Sequence, residues 1–254
     1  MALKIIRITT LLDFGGQERK YLLFSEDATL LKNQYFFAAI GHGGHASDVI
    51  AERGFSATVF NQNPAIKNLK NIWILYKWFR KIQPDIVHTA AAEANFHGVI
   101  AAKLAGVKVV IAEEIGFPNH SRFARFVFKN CYRLVDKVVC VSQAVKDYLF
   151  KIQELSDNDK GIVIYNPVST PKVVEVTQSE TFTVVSVGRL EAVKNQQLLI
   201  KAFAQLEDKN SKLILVGDGR ERTTLEKLIL DLHIENRVEI TGFVSEPEHY
   251  LAQA

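Results

Sequence analysis

Cysteines are scarce in this sequence. Its 254 residues contain two, Cys131 and Cys140, and their positions fit neither a disulfide framework nor a metal-binding pattern. Cys140 lies in the apolar run KVVCVS and Cys131 in a helical stretch, so we expect two buried free thiols, as is typical of a reducing cytoplasm. A disulfide-stapled secreted domain is thereby excluded, and no metal site is expected.

Long apolar runs and a strong charge bias are also missing. No stretch approaches the ~18 uninterrupted apolar residues of a membrane-spanning helix. The amino-terminal segment is interrupted by Lys4, Arg7 and Asp13 and lacks the small-residue cleavage site of a secretory signal. The net charge of +3 does not by itself imply nucleic acid. We therefore expect a cytoplasmic protein without a nucleic-acid partner, whose membrane contact would be peripheral.

Short apolar runs instead alternate with amphipathic stretches along the chain. The runs lack clean polar alternation, so they predict buried parallel strands. They are LKIIRIT, YFFAAIG, FSATVF, DIVHT, VKVVIA, DKVVCVS and GIVIYN. Helical patterns at Gln17–Leu31, Lys67–Ile82 and Asn95–Leu104 lie between them. This alternation predicts an α/β fold built from doubly wound, Rossmann-like parallel sheets.

The alternation stops at Asn166–Glu180, a polar stretch with two prolines, and then resumes. We predict a first domain at residues 1–168, a linker at 169–180 and a second domain at 181–254. The second domain has three strand patterns and two complete helix patterns, and a last helical pattern, EPEHYLAQA, reaches Ala254. Since a doubly wound domain contains about six strands, we expect the second domain to be only about half present.

The first strand end of the second domain carries two cations. In VVSVGRLEAVKNQ, Arg189 directly follows Gly188, and Lys194 comes where the pattern predicts a helix to begin. Open parallel sheets bind ligands beyond the carboxyl ends of their strands, and arginine and lysine there suit phosphate oxygens. The two residues are therefore candidates for a diphosphate clamp. The alternative is a pair of surface cations bridged to Glu191 or Glu207.

Two more strand ends reach the same edge of that sheet. LVGDGRER places Gly217, Asp218 and Gly219 there, and TGFVSEPE adds Val244. We include all four among the candidate ligand-binding residues of this edge. An ordinary tight turn is the alternative for the second loop, because Asp-Gly is a common turn sequence.

In the first domain, the first strand leads into LLDFGGQERK. Gly15 and Gly16 precede Gln17 and Glu18, which open a helix. A Gly-Gly loop at a helix start can cradle a phosphate or the edge of a sugar. The alternative is a plain strand-to-helix turn.

These motifs, in this order, resemble glycosyltransferase family 4, whose members are retaining nucleotide-sugar transferases. They are FGGQE, PDIVHT, AKLAGVKVVIAEEIGFP, VVCVSQAVKDYL, VIYNPV, VSVGRLEAVKNQQLLIKAF, LILVGDGRER and RVEITGFV. The resemblance covers nearly the whole chain and implies the GT-B type of fold, with two Rossmann-like domains. It implies a UDP- or GDP-type nucleotide sugar in the second domain, where Arg189 and Lys194 would hold its diphosphate. It further implies a glycan or lipid-linked acceptor at the first domain, cell-envelope polysaccharide or glycolipid synthesis, and no obligatory metal or other cofactor.

The chain departs from the family pattern at two places. The two glutamates that follow the GFV strand in the family would lie beyond Ala254. The histidine that many relatives carry after the VKVVIA strand is replaced by a segment containing Glu114, with His120 a little later. His88, at the end of PDIVH, is a further candidate for acceptor contact, or a histidine bonded to neighbouring backbone. The catalytic residue is therefore unassigned, with Glu114, His120 and His88 as candidates.

A basic stripe marks the segment SRFARFVFKNCYRLVDK. Its members, at helical spacing, are Arg122, Arg125, Lys129 and Arg133. Such a helix can lie on an anionic membrane surface, here the inner face of the plasma membrane. The alternative is a solvated basic face over an ordinary core.

Two rival functions stay open at this point. A truncated relative could bind a partner or a membrane without transferring sugar. A dinucleotide-dependent oxidoreductase is the other, since GHGGHA, at Gly41–Ala46, matches a dinucleotide-binding fingerprint. That fingerprint also requires an acidic residue about 20 positions further on. The corresponding stretch reads Phe60, Asn61 and Gln62.

Overall fold

A computed structural model describes residues 2–13, 15–26, 32–156, 160–168, 181–244 and 246–254. The predicted linker, 169–180, lies outside the described residues. The chain divides into two compact units, Met1–Ser169 and Thr170–Ala254. Among the described helices, none combines the length and the apolar character that crossing a membrane would need.

Parallel strands and the helices that connect them form the first unit. The strands are β1 (Lys4–Thr9), β2 (Gln34–Ala39), β3 (Ser56–Val59), β4 (Ile86–Ala90), β5 (Val109–Glu114), β6 (Lys137–Cys140) and β7 (Gly161–Val163). The helices are α1 (Gly16–Ser25), α2 (His45–Glu52), α3 (Lys70–Ile82), α4 (Ala92–Ala105), α5 (Arg122–Leu134) and α6 (Gln143–Lys151). The sheet order is β3-β2-β1-β4-β5-β6-β7, so the winding direction reverses between β1 and β4. Ligands in such sheets bind at this switch point, at the carboxyl ends of the strands.

The apolar strand runs are buried because helices cover both faces of the sheet. Ile6 and Ile8 of β1 and Val87 of β4 are fully enclosed in the main core. A separate apolar cluster, which includes Tyr21 and Phe37, lies under α1 and α2. Both cysteines are buried free thiols.

The second unit contains a smaller parallel sheet. Its strands are β8 (Thr183–Val187), β9 (Lys212–Val216) and β10 (Val238–Gly242), in the order β10-β9-β8. Its helices are α7 (Gln196–Ala204), α8 (Arg222–Asp231) and α9 (Glu248–Leu251). Ile200 of α7, Leu213 and Leu215 of β9 and Leu225 of α8 form its core. The predicted doubly wound α/β architecture is therefore confirmed.

Several predicted helix boundaries were wrong. The helix predicted at Lys67–Ile82 begins at Lys70, and the one predicted at Asn95–Leu104 runs from Ala92 to Ala105. The helix expected to begin at Lys194 begins at Gln196, because Asn195 adopts a left-handed conformation with φ of 52° that a helix does not continue through. Ala192–Lys194 instead form a 3-10 turn. The helix predicted at 17–31 begins at Gly16 and ends at Ser25, and positions 27–31 lie outside the described residues.

Candidate functional site

In the second unit, hydrogen bonds join the loops that follow β8 and β9. The Gly188 amide donates to the Val216 carbonyl at 2.9 Å, and the Leu190 amide donates to the Asp218 carbonyl at 2.9 Å. The loops cross so closely that a side chain on Gly217, where φ is +147°, would collide with the Gly188 carbonyl oxygen. Glycine is therefore required at Gly217, and the two loops are held against each other.

Arg189 and Lys194 both project from this pair of loops into solvent. Within the described part of the chain, neither side chain has an ion pair. Glu191, one of the carboxylates expected in the surface-pair alternative, instead approaches Arg220, with 3.9 Å between Oε1 and Nε. The Gln196 side chain donates to the Arg189 carbonyl at 3.0 Å and so fixes the backbone that carries the arginine. Both cations are thus available to a ligand.

Asp218 and the end of β10 complete this edge. One Asp218 carboxylate oxygen accepts from the Gly219 amide at 2.8 Å, and the other accepts from Arg222 at 3.1 Å. Gly217 and Gly242 form an isolated bridge between the second and third loops. Val244, half-buried, follows two residues later. All three strand ends therefore meet at one edge, which we call the donor-side edge.

The Gly-Gly loop of the first unit follows β1 and leads into α1. Gly15 is the residue before the helix and Gly16 is its first residue. A side chain at Gly15 would collide with the Glu18 carboxylate, whereas Gly16 faces open space. Gln17 and Glu18 are half-buried in the first turn. The four candidate residues thus lie at the carboxyl end of β1, beside the switch point.

The switch point also holds a buried charge cluster, formed by Arg7, Lys20, His88 and Glu113. Glu113 is 0% exposed and is the next-to-last residue of β5. It contacts Lys20, and its Oε2 lies 3.0 Å from His88 Nε2 and 3.7 Å from an Arg7 nitrogen. Arg7 and His88 face each other in the register of β1 and β4, which places both on the same side of the sheet. Sequence reasoning proposed His88 but missed its three partners, although Arg7 and Glu113 are charged residues within apolar strand runs, a signal that could have identified them.

Burial controls the ionisation of this charge cluster. Burial, with help from the Arg7 charge, lowers the pKa of Lys20 to about 7. Burial and the charges of Arg7 and Lys20 lower the pKa of His88 well below its usual value. The Arg7 guanidinium lies 5.0 Å from the Tyr21 ring centre, which holds it in place. His88 is therefore neutral at neutral pH, and Lys20 titrates near neutral pH.

Glu114, the first catalytic candidate, turns into the core. Its carboxylate accepts from the Tyr132 hydroxyl and, at 3.1 Å, from the Asn95 side chain. Burial raises the pKa of Glu114 to about 7, against the opposing effect of the Tyr132 and Asn95 hydrogen bonds. The structure therefore places Glu114 in a buried hydrogen-bond network.

His120 is also held by neighbouring side chains. Its Nδ1 lies 2.8 Å from Oε1 of the buried Glu154, and its ring stacks on Phe128 with 4.2 Å between ring centres. Burial opposes a charge on His120, but the hydrogen bond and charge of Glu154 and the charge of Glu114 outweigh it and raise the pKa. His120 and Glu154 thus anchor the segment between β5 and α5.

The predicted basic stripe lies on α5. Arg122 and Arg133 are exposed and Arg125 and Lys129 half-buried. The same helix exposes two aromatic rings, Phe123 at 76% and Phe126 at 66%. The exposed surface of α5 is therefore both cationic and aromatic, a combination that basic spacing alone did not predict.

The glycines of GHGGHA are used in local packing. A side chain on Gly43 would collide with Ser47 and Val59, and one on Gly44 would collide with Asp13. The segment follows β2, whereas the dinucleotide fingerprint belongs after the first strand. Among the described residues, no three or more His, Cys, Asp or Glu side chains gather as they would around a metal ion.

Two family profiles match successive parts of the chain. The sequence profile of Glycosyltransferase Family 4 matches residues 15–172, and that of Glycosyl transferases group 1 matches residues 170–254. The chain is 26% identical over 213 residues to the Escherichia coli UDP-Gal:alpha-D-GlcNAc-diphosphoundecaprenol alpha-1,3-galactosyltransferase, covering 74% of this chain and 55% of that enzyme.

A second relative transfers a different sugar. The chain is 25% identical over 209 residues to the Campylobacter jejuni N-acetylgalactosamine-N,N'-diacetylbacillosaminyl-diphospho-undecaprenol 4-alpha-N-acetylgalactosaminyltransferase, covering 76% of this chain and 56% of the relative. The chain thus spans little more than half the length of these two enzymes.

Solved structures share the fold. Anabaena Alr3699/HepE, crystallised with UDP and glucose, superimposes with a TM-score of 0.76 at 20% identity, over 98% of this chain and 72% of that one.

Proposed function

Because the chain belongs to Glycosyltransferase Family 4, we propose that it transfers a sugar from a nucleotide-sugar donor to a glycan or lipid-linked acceptor. The donor-side edge supports this proposal most strongly, because its Arg189 and Lys194 are exposed and have no ion pair among the described residues, beside glycine loops that meet. The reaction serves cell-envelope polysaccharide or glycolipid synthesis in this proposal, which the diphosphoundecaprenol-linked acceptors of the two relatives support.

The proposed donor is a UDP-sugar, in keeping with the UDP bound to the Anabaena protein. Arg189 supplies a planar fork and Lys194 a compact charge for the oxygens of the diphosphate. Each charge-assisted hydrogen bond contributes about 1.5–3 kcal/mol. Gly188, Gly217 and Gly219 allow the backbone to approach the phosphates, and Asp218 and Val244 complete the donor site.

In the proposed chemical step, the two cations stabilise the leaving diphosphate. As the sugar–phosphate bond breaks, negative charge grows on the leaving diphosphate, so Arg189 and Lys194 bind the transition state more tightly than the ground state. We propose transfer with retention of the anomeric configuration. In this proposal Glu114, His120 and His88 hold their loops and strand ends through their buried contacts and do not attack the sugar.

We further propose that α5 lies on an anionic membrane surface on the cytoplasmic side, where lipid-linked acceptors would be presented. Arg122, Arg125, Lys129 and Arg133 supply the charge, and the exposed Phe123 and Phe126 rings supply apolar contact. Flotation with phosphatidylglycerol vesicles tests this. Wild-type protein is expected to float, and a Phe123→Ser, Phe126→Ser double variant is expected to stay in the soluble fraction. Equal flotation of the two proteins would contradict the assignment.

A transfer assay tests the enzymatic proposal. The protein is incubated with UDP- and GDP-sugars and a polyprenyl-diphosphate-linked sugar, and the anomeric configuration of the product is read by NMR. Arg189→Met and Lys194→Met are expected to abolish transfer, whereas Lys201→Met, an exposed lysine on α7, is expected to leave it unchanged. If neither wild type nor any variant binds a nucleotide sugar while the vesicles are still bound, the non-catalytic alternative replaces this proposal.

A further inference from the structure

Lys20 joins the buried charge cluster to an open cleft beside α1. The cleft has a volume of about 170 Å³. Its lining residues are Gly16, Arg19, Lys20, Leu23, Asn166, Pro167 and Val168. Two of these are basic and none is acidic. Lys20 therefore belongs both to the lining of the cleft and to the charge cluster.

The cluster contains more basic groups than its carboxylate can neutralise. The charged and titratable groups packed against Lys20 are Arg7 from β1, His88 from β4 and Glu113 from β5, with Arg19 beside it on α1. Glu113 is their one carboxylate, and it pairs with both Lys20 and Arg7. Lys20 is only 9% exposed, so water screens its charge poorly. When Lys20 is protonated, two cations thus share one carboxylate, and the charge cluster carries an uncompensated positive charge.

We infer that this cleft binds a phosphate or diphosphate group of the acceptor, with Lys20 as its ligand, and that Lys20 takes up a proton as the anion binds. The inference rests on the proposed function, since a lipid-linked acceptor carries its sugar on a diphosphate. Arg19 and the Asn166 amide supply further donors around the same space. The cleft would hold the acceptor beside the switch point, while the donor diphosphate occupies the other unit.

The ionisation of Lys20 sets the pH range of this effect. With its pKa near 7, Lys20 is protonated in roughly half of the molecules at neutral pH. A phosphate within about 4–6 Å favours the ammonium form, so binding and protonation reinforce each other. Above the pKa of Lys20, uptake of one proton per anion weakens binding by about tenfold per pH unit.

Titration calorimetry on an Arg189→Met, Lys194→Met double variant tests the inference, because this background removes the donor clamp. Inorganic pyrophosphate and farnesyl diphosphate are titrated between pH 6.5 and 8.5. Binding of both is expected, and Lys20→Met is expected to weaken it by more than tenfold. Lys20→Arg keeps its charge at every pH, so it should bind while losing the part of the pH dependence that Lys20 causes. Lys151→Met, an exposed lysine at the end of α6, is the matched control.

Each other outcome has a defined meaning. Equal binding by the parent and Lys20→Met, or identical pH profiles for the parent and Lys20→Arg, would overturn the inference. UDP binding to the double variant that depends on Lys20 would assign the cleft to the donor and overturn the acceptor assignment. If wild type binds UDP but the double variant binds no diphosphate, only this inference fails; if wild type does not bind UDP, the proposed function fails. Should Lys20→Met not fold, judged by its thermal melt, the comparison with Lys20→Arg decides alone.

Discussion

Both units carry basic residues at the carboxyl edge of a parallel sheet, but in opposite environments. In the first unit, Arg7 and Lys20 are buried against Glu113. In the second, Arg189 and Lys194 are exposed and, among the described residues, have no ion pair. Buried charges must be paired or neutralised, so removing one partner destabilises the fold. Exposed cations without an ion pair contribute little to stability, and they can bind an anionic ligand without first losing a contact within the protein.

The largest expected effect is a difference in the free energy of unfolding between a variant of the first edge and a variant of the second. Glu113→Ala leaves the Arg7 charge buried and unpaired, and it is expected to destabilise the first unit by about 3–5 kcal/mol. Arg189→Ala, at an exposed and unpaired position, is expected to stay within about 0.5 kcal/mol of wild type. Urea denaturation followed by circular dichroism measures both. Similar losses of stability in the two variants would contradict the proposed difference between the edges.

The next effect is a pH dependence confined to the first unit. The folded-state pKa of Glu114 is about 7, against an ordinary value of 4.5. The folded state therefore binds a proton more tightly than the unfolded state, and this contribution to stability is complete below pH 4.5 and lost as the pH rises towards 7. At 1.36 kcal/mol per pKa unit, the loss is about 3 kcal/mol.

Glu114→Gln cannot ionise, so it is expected to remove this part of the pH dependence. Denaturation curves between pH 4.5 and 7.5 measure it, with Lys194→Met, expected to leave the profile unchanged, as the control. A Glu114→Gln profile that matches wild type would show that Glu114 is already ionised in the folded protein at low pH.

A smaller effect probes the glycine loops of the second unit. Gly217→Ala places a side chain against the Gly188 carbonyl at a φ of +147°. We expect a loss of about 1–3 kcal/mol in the stability of the second unit, together with weaker UDP binding. Gly16→Ala, whose side chain would meet nothing within 4 Å, is the matched control in the first unit. Unchanged UDP affinity in Gly217→Ala would show that the crossing of the two loops is not needed for the donor site.

The two edges also differ in how far the sequence predicts them. At the donor-side edge, Gly188, Arg189 and Lys194 lie within one short segment, and the glycines of the next loop mark where the backbones approach. The burial of Leu213 and Leu215 likewise follows from an apolar run. Local order in the chain was therefore enough to predict the strands and the candidate clamp, although Asn195 moved the start of α7.

The first unit depends on contacts between distant segments. The charge cluster forms because Arg7 lies opposite His88 in the strand register and because α1 brings Lys20 to Glu113. His120 is likewise held by Glu154, which follows α6. A single sequence shows none of these pairings, so it offers Glu114 and His120 as candidates only by their residue types and their positions at or after the end of an apolar strand run. Their burial and partners follow only from the tertiary packing.

The most direct test of the donor assignment is calorimetric titration of wild-type protein and Arg189→Met with UDP and with uridine. The clamp predicts that the substitution weakens UDP binding by about 1.5–3 kcal/mol, roughly 10- to 150-fold, because one charge-assisted contact to the diphosphate is lost. Uridine, which has no phosphate, is predicted to bind both proteins equally. Equal losses for UDP and uridine, or no loss for either, would contradict the assignment of the diphosphate to the donor-side edge.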